Sequence, residues 1–372
     1  MNFTLSLVVP CYNEAQTIET CIEKILEFSR GQDFALEIIA VDDASKDGSW
    51  QILEKIAQQH GGIKILKHEK NRGKGAALRT GFIHASGDYV GIQDADEEYN
   101  PSDYLTMLKP LLEGKADVVY GSRYLRPDTR RVLYFWHTWM NKTLTSVSNM
   151  FTNLDITDME TCYKLFRREV IQKIAPQLKE ERFGFEPEVT AKVAQAQCRV
   201  YECAVSYNPR TYEEGKKIGW KDGVHALYCI LHYSAHSAPL PMQVLIYLFI
   251  GAVSLFANLA FFVGLTQGGM ALNYAVAVSF AAAALCNYLL CIAVLFRHKA
   301  RWNTGAELFW YIFSVLVMGA IDFGATRFLI TAVPFFALHW SGAKFIAAII
   351  GFIGNFILRK FLVFGEKKSD RA

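Results

Sequence analysis

The residues best suited to chemistry stand in four short groups: Pro10-Cys11-Tyr12-Asn13-Glu14, Asp42-Asp43-Ala44-Ser45, Asn71-Arg72-Gly73-Lys74-Gly75 and Asp94-Ala95-Asp96. Asp94 and Asp96 are the sharpest of them. Carboxylates at i and i+2 can converge on one hard divalent cation, with Glu98 as a possible third ligand, and such a cation keeps positions for diphosphate oxygens. A lone Asp-x-Asp is common on exposed loops, so its weight comes from the company it keeps. Asn71–Gly75, with two glycines and a lysine, suits close approach to a diphosphate or, equally, an ordinary turn before a helix.

Each group follows an apolar run: residues 5–9, 37–41, 63–66 and 88–92, with helical patterns at 15–30 and 49–60 between them. Strands alternating with helices predict an α/β, Rossmann-like layer structure with a mainly parallel sheet. In such sheets ligands bind beyond the carboxyl ends of the strands, where all four groups fall.

The 372 residues suggest roughly two domains at about 100–200 residues each. Residues 242–364 hold nine Asp, Glu, Lys or Arg in 123 positions, whereas the first 241 hold 61. That contrast excludes a simple soluble enzyme, and the 52% hydrophobic content excludes disorder as the main state. A net charge of +3 with no long basic run gives no support for nucleic acid as a partner. The eight cysteines contain no Cys-x-x-Cys pair and read as reduced thiols. Residues 1–10 lack a basic n-region, so the first half is expected to begin in the cytosol.

Four segments, about 242–265, 272–296, 306–331 and 341–364, are expected to cross the membrane, each supplying the ~20 residues a span needs. Loop 297–305 carries Arg297, Lys299 and Arg301, and the tail carries Arg359, Lys360, Lys367, Lys368 and Arg371. Loops 266–271 and 332–340 carry no Lys or Arg. The positive-inside rule then places both termini and loop 297–305 in the cytosol. Asn287-Tyr288 with Phe296, and Asn355-Phe356 with Phe364 at the same offset, read as a weak repeat of two helix pairs. Asp322, Arg327 and Lys344 form either a polar patch or a set of snorkelling, paired charges.

PCYNE, VDDAS, NRGKG, DAD and Gly121-Ser122-Arg123, in this order, resemble a glycosyltransferase of family 2 with the GT-A fold. Within it, the chain is similar to the polyprenyl-phosphate (dolichyl-phosphate mannose or glucose) synthases, and its spans resemble a GtrA-like membrane domain. The resemblance implies a GT-A catalytic domain over 1–223, a juxtamembrane segment over 224–241 and an all-α membrane domain of four helices over 242–372. It implies a nucleotide-sugar donor, a polyprenyl phosphate acceptor and Mg²⁺ or Mn²⁺, and leaves an oligomer possible. Pro10, Tyr12 and Glu14, with Asp42 or Asp43, should hold the nucleotide. Lys74 should lie near the donor, Asp94, Asp96 and Glu98 should bind the metal, and Arg123 should meet phosphate. Asp158-Met159-Glu160-Thr161-Cys162-Tyr163-Lys164 takes the place of the family's D-x-x-S-G-F-R stretch, which makes Lys164 a stand-in for the arginine.

A polyprenyl phosphate is already an anionic nucleophile, since its second pKa is about 6. Displacement at the sugar carbon therefore needs no strong base, only cations that place one phosphate beside another. Arg123, Arg130, Arg131, Lys164, Arg210, Lys216 and Lys217 are the candidates. A hydroxyl acceptor, such as a polysaccharide or glycolipid, would instead need a base, and Glu186 or Glu188 would be the choice. One-step displacement predicts inversion.

Residues 132–152, crowded with Tyr134, Phe135, Trp136, Trp139 and Met140, are expected to form an amphipathic helix on the bilayer; a buried core helix is the alternative. Residues 211–223 have the composition of a basic loop with an aromatic anchor. Processive polysaccharide synthases carry a Gln-x-x-Arg-Trp motif, but His298-Lys299-Ala300-Arg301-Trp302 lacks the Gln and lies between spans. A lipid-linked sugar translocator with a glycosyltransferase domain is the alternative from another class.

Overall fold

The computed structural model describes residues 3–125, 131–209, 220–296, 304–335 and 340–364. The chain forms two compact units, residues 1–239 and 240–372.

The first unit is built on seven strands: β1 (Thr4–Cys11), β2 (Ala35–Asp42), β3 (Ile63–Lys67), β4 (Tyr89–Ile92), β5 (Val118–Ser122), β6 (Lys164–Arg167) and β7 (Val200–Ala204), in the order β3-β2-β1-β4-β6-β5-β7. All pairings are parallel except those of β6, which is antiparallel to β4 and to β5. The expected α/β layer is therefore present, as a mixed but mostly parallel sheet. β1, TLSLVVPC, is an interior strand whose faces are both covered; Leu5, Leu7, Val8 and Val9 are fully buried. Helix α1 (Ile18–Ser29) buries Ile18, Cys21, Ile22, Ile25 and Phe28, a single stripe at helical spacing. Helices α2 (Ser49–Gln59) and α3 (Lys74–His84) complete the crossovers to β3 and β4.

The chain runs outward from β1 to β2 and β3, then returns to place β4 on the other side of β1. This reversal opens a crevice at the carboxyl ends of β1 and β4, the usual ligand site of such sheets. Pro10–Glu14 and Gln93–Asp96 flank it.

Four further helices cover the sheet: α4 (Tyr104–Leu112), α5 (Phe135–Thr152), α6 (Arg168–Ile174) and α7 (Phe185–Gln195), with α8 (Trp220–Ser234) packed on α5 and α7. α5 has two halves. Leu144, Thr145, Ser148 and Phe151 are buried against the domain, whereas Phe135, Trp136, Trp139 and Met140 are exposed.

The second unit holds α9 (Leu240–Gln267), α10 (Leu272–Leu290), α11 (Thr304–Ala332) and α12 (Trp340–Leu358). Among the described residues, three stretches suffice by length and composition to cross a membrane: Leu240–Gln267, Val278–Leu295 and Gly305–Leu329. The fourth expected segment is helical over Trp340–Val363. π-helical turns at Cys291–Phe296 and Arg359–Val363 begin four residues after Asn287 and Asn355, at matching places in the sequence repeat. Arg359, read from sequence as a topology-setting tail charge, is buried instead. It donates to Asn287 Oδ1 and to the Tyr311 hydroxyl (3.3 Å) and lies over the Tyr311 ring, 4.6 Å from its centre. Buried Glu307 accepts from the Tyr288 hydroxyl at 2.9 Å. The side chains of Asp322 and Lys344 lie outside the described residues.

Candidate active site

The loops after β1 and β2 are laced together. Asn13, in the left-handed region at φ 53°, receives a bond from the Lys46 N–H on its Oδ1 (2.9 Å) and donates its own N–H to Ser45 Oγ (3.0 Å). The N–H of Glu14 bonds Ser49 Oγ (2.9 Å), and the Glu14 carboxylate accepts from Thr17 Oγ1 (3.0 Å). Pro10, Tyr12 and Glu14 are partly exposed on this rim.

The two aspartates after β2 have separate tasks. Asp43 is committed to the fold: its oxygens accept from the N–H groups of Arg72 (3.0 Å) and Gly73 (2.6 Å) and bond His68 Nδ1 (2.7 Å). Asp42 is fully buried; Oδ2 accepts from the Ser45 N–H at 3.2 Å, while Oδ1 has no hydrogen-bond partner. An orphaned buried acceptor costs about 1–3 kcal/mol, a cost that a hydroxyl or N–H from a bound nucleoside would offset.

Gly73 and Gly75 sit where protein packs too closely for a side chain. A Cβ at Gly73 would sit 2.4 Å from the Glu181 carbonyl oxygen, and one at Gly75 would sit 2.5 Å from that of Glu180. The tight turn against this loop starts α3 and delivers Lys74. Its ammonium lies 3.0 Å from Asp94 Oδ1 and 3.4 Å from Glu186 Oε1. Burial works against its charge, but Asp94, Glu186 and the other groups around it together outweigh burial, so the Lys74 pKa stands well above its ordinary value.

Asp94, Ala95 and Asp96 follow β4 after a single residue, Gln93. Asp96 Oδ1 accepts from the Glu98 N–H (3.2 Å), and the Glu98 carboxylate accepts from the Tyr207 hydroxyl (3.0 Å). Stacked rings underlie the motif: Tyr163 packs on Tyr99 at 4.5 Å and on Tyr104 at 4.7 Å, and its hydroxyl donates to Gln93 Oε1 at 2.5 Å. Tyr163 thus braces the end of β4, and the interaction follows from its place one residue before β6.

Arg123 extends from the end of β5 and grips fully buried Asp158 through Nε and Nη2, both at 2.7 Å, with its guanidinium over the Tyr207 ring at 5.1 Å. Lys164 is fully buried on β6, and its ammonium donates to the carbonyls of Met159 (3.0 Å) and Thr161. It therefore points into the protein, where burial lowers its pKa. Beside it, burial and the Glu186 charge raise the Glu160 pKa from 4.5 to about 8. One oxygen each of Glu160 and Glu186 has no hydrogen-bond partner. Glu188 is committed to the N–H groups of Lys179 (2.9 Å) and Glu180 (2.8 Å).

The Glu160 shift has a measurable consequence. The unfolded chain releases this proton near pH 4.5 and the folded one near pH 8, so stability falls as pH rises through that window. Glu160→Gln, a neutral isostere, should lose less thermal stability between pH 5 and about 8 than the parent. Parallel melting curves for the two proteins would count against this assignment.

A cavity of about 170 Å³ opens beside Arg123, walled by Arg131, His137, Asn141 and Tyr207. Arg131 Nη1 donates to the Pro209 carbonyl at 3.1 Å. Next to the cavity the first turns of α5 expose Phe135 and Trp136, the latter 73% accessible, and α8 exposes Trp220, Val224 and Tyr228. Of the remaining acceptor candidates, Arg130, Arg210, Lys216 and Lys217 lie outside the described residues. Tyr207 and Asp158 were not singled out by sequence; Tyr207 carries no local signal, and Asp158 was visible only as a motif position.

A strand-end acidic motif beside the crevice at the carboxyl ends of β1 and β4 marks a ligand-binding α/β domain, and the chain belongs to glycosyltransferase family 2. Residues 6–175 match the family described as Glycosyl transferase family 2, and residues 246–364 match the GtrA/DPMS transmembrane domain. The chain is 30% identical over 229 residues to a dolichyl-phosphate beta-glucosyltransferase of Drosophila melanogaster, covering 58% of this chain and 69% of that protein. It is 29% identical over 217 residues to dolichyl-phosphate beta-glucosyltransferase ALG5D of Trichomonas vaginalis, covering 55% of this chain and 65%, just under two thirds, of that relative. Glucosyl-3-phosphoglycerate synthase of Mycobacterium tuberculosis is similar in structure, with TM-score 0.49, 18% identity and coverage of 64% of this chain and 81% of that one.

Proposed function

We propose that the protein transfers a single hexose, glucose in preference to mannose, from a nucleotide sugar to a polyprenyl phosphate with inversion at the sugar carbon. The names of the curated relatives favour glucose and a dolichyl-type acceptor. The observation that carries the reading is the cavity lined by Arg123, Arg131 and Tyr207, which lies between Glu98 of the acidic loop and the exposed aromatic start of α5. It offers two guanidinium groups to a phosphate next to a surface suited to a lipid.

Asp42 and the Pro10–Glu14 rim would hold the nucleoside, leaving the diphosphate toward Lys74 and Asp94. The oxygen-only donors Asp94 and Asp96, with Glu98 near them, fit a hard cation of the Mg²⁺ or Mn²⁺ kind, which is commonly held by one or two carboxylates plus substrate phosphates. When bound, such an ion supplies charge stabilisation to the departing diphosphate. Arg123 is held in one orientation by Asp158 and can present its remaining N–H donors to the acceptor phosphate. Because that phosphate is already anionic, the chain needs only to orient it and exclude water. Buried Glu186, paired with Lys74, then serves as charge balance and not as a base.

We place this unit and both chain ends on the cytosolic face, with four membrane helices including Trp340–Val363. Trp136 and Trp139 would seat α5 in the bilayer interface.

Purified protein incubated with labelled UDP-glucose or GDP-mannose, Mg²⁺ or Mn²⁺ and polyprenyl phosphate should yield a β-linked lipid product. No lipid-linked product with any donor would defeat the proposal. Trp136→Ser with Trp139→Ser should raise KM for the lipid acceptor about tenfold in vesicles and leave KM for the nucleotide sugar unchanged. Equal shifts in both constants would remove α5 from the acceptor path.

A further inference from the structure

Away from the transfer site, three side chains with transition-metal chemistry meet. Glu180 lies in the segment between α6 and α7; His225 and Cys229 lie one turn apart on the same face of α8. Their ligand atoms all fall within 4.8 Å of one another. Glu180 Oε2 is 2.8 Å from His225 Nε2, and Cys229 Sγ is 3.5 Å from the same nitrogen. Zinc bonds of about 2.0–2.3 Å at tetrahedral angles place nitrogen and sulfur about 3.6 Å apart, and nitrogen and oxygen about 3.3 Å apart. The two separations made by His225 Nε2 are therefore each within about half an ångström of ligating geometry.

Two independent features point the same way. A Cβ at Gly184 would lie 2.5 Å from Glu180 Oε2 and 2.7 Å from Cys229 Sγ, so glycine is what allows carboxylate and thiol to approach. Tyr233, one turn beyond Cys229, donates its hydroxyl to the other Glu180 oxygen at 2.9 Å. Such an outer bond orients a ligating carboxylate. Cys229 is fully buried while His225 is exposed, which leaves one side for water as a fourth ligand.

We propose that Glu180, His225 and Cys229 bind a zinc-class transition-metal ion. One thiolate, one imidazole and one carboxylate suit Zn²⁺ or Co²⁺, in contrast to the oxygen-only group at Asp94 and Asp96. On binding, the Cys229 S–H proton and the His225 Nε2–H proton both leave to solvent, the imidazole carrying its one remaining proton on Nδ1, as sulfur and nitrogen bond the metal and Glu180 exchanges its bond to the His225 ring for the ion. The backbone of Glu180 and Glu181 packs on Gly75 and Gly73 at the start of α3. The ion would thus fasten α8 to the loop that positions Lys74.

Full-length protein in detergent, stripped with chelator and titrated with Co²⁺, should develop thiolate-to-cobalt charge-transfer absorption at one equivalent, bleached by Zn²⁺. The band should vanish in Cys229→Ala and survive in Cys198→Ala with Cys203→Ala. It should also survive in Asp96→Ala, because carboxylates give no such absorption, so failure of the transfer proposal leaves this test intact. His225→Ala alters an exposed side chain and keeps the fold; it should weaken Co²⁺ binding at least 100-fold. Tyr233→Phe should weaken it about tenfold. Absence of the band in the parent protein, or unchanged Co²⁺ affinity in His225→Ala, would overturn the proposal.

Discussion

Asp96→Ala is expected to lower lipid-linked product formation by about 10³-fold, near 4 kcal/mol at 1.36 kcal/mol per decade, with the thermal midpoint little changed. Asp96 is the cleaner of the two aspartates to alter. Asp94 holds the Lys74 ammonium at 3.0 Å, so removing it leaves a mostly enclosed cation with only Glu186 at 3.4 Å, and any loss of activity would mix with loss of fold. The side chain of Asp96 caps the N–H of Glu98 on a partly exposed loop, a contact of modest weight. Initial rates at saturating donor, measured across a Mn²⁺ titration, give the test. Activity at the parent level in Asp96→Ala would remove the acidic motif from the reaction.

The second large effect concerns stability. Asp158 is completely buried and carries both the Arg123 side chain and its N–H at 3.0 Å. Asp158→Ala leaves the guanidinium enclosed without its counter-charge, and removal of one partner from such a pair costs about 3–5 kcal/mol. Chemical denaturation should show a loss of that size. Replacing both residues, Arg123→Met with Asp158→Leu, should recover most of it, since neither charge is then stranded, yet transfer should stay more than 100-fold below the parent. Recovery of transfer along with stability would mean that Arg123 serves the fold alone.

Much of the scaffold could be read directly. The runs at 5–9, 37–41 and 88–92 became β1, β2 and β4 because a short apolar stretch bounded by polar turns suits a strand covered on both faces of a parallel sheet, while the run at 63–66, with Lys64 in it, became the edge strand β3. The acidic motif at the end of β4 follows from the same pattern. What could not be read is how each polar side chain divides its bonds. Asp42 and Asp43 are adjacent and alike, yet one clamps the turn at Arg72-Gly73 and the other keeps an unpartnered oxygen; which is which depends on the pleat of β2 and on a loop some 30 residues away. Lys164 stood for a phosphate-binding arginine in the motif, but its place on β6 between β4 and β5 turns it inward.

By itself the sequence determined the division into a charged α/β half and an apolar helical half, and the location of the chemistry at the strand ends. Those depend on composition and on periodicity, which are local. Only the tertiary structure decided which cations flank the cavity, why Gly73 and Gly75 must be glycine, that Arg359 is buried against Tyr311, and that Glu180 meets His225 and Cys229. These depend on contacts between residues tens of positions apart, where a shift of an ångström decides between a bond and its absence.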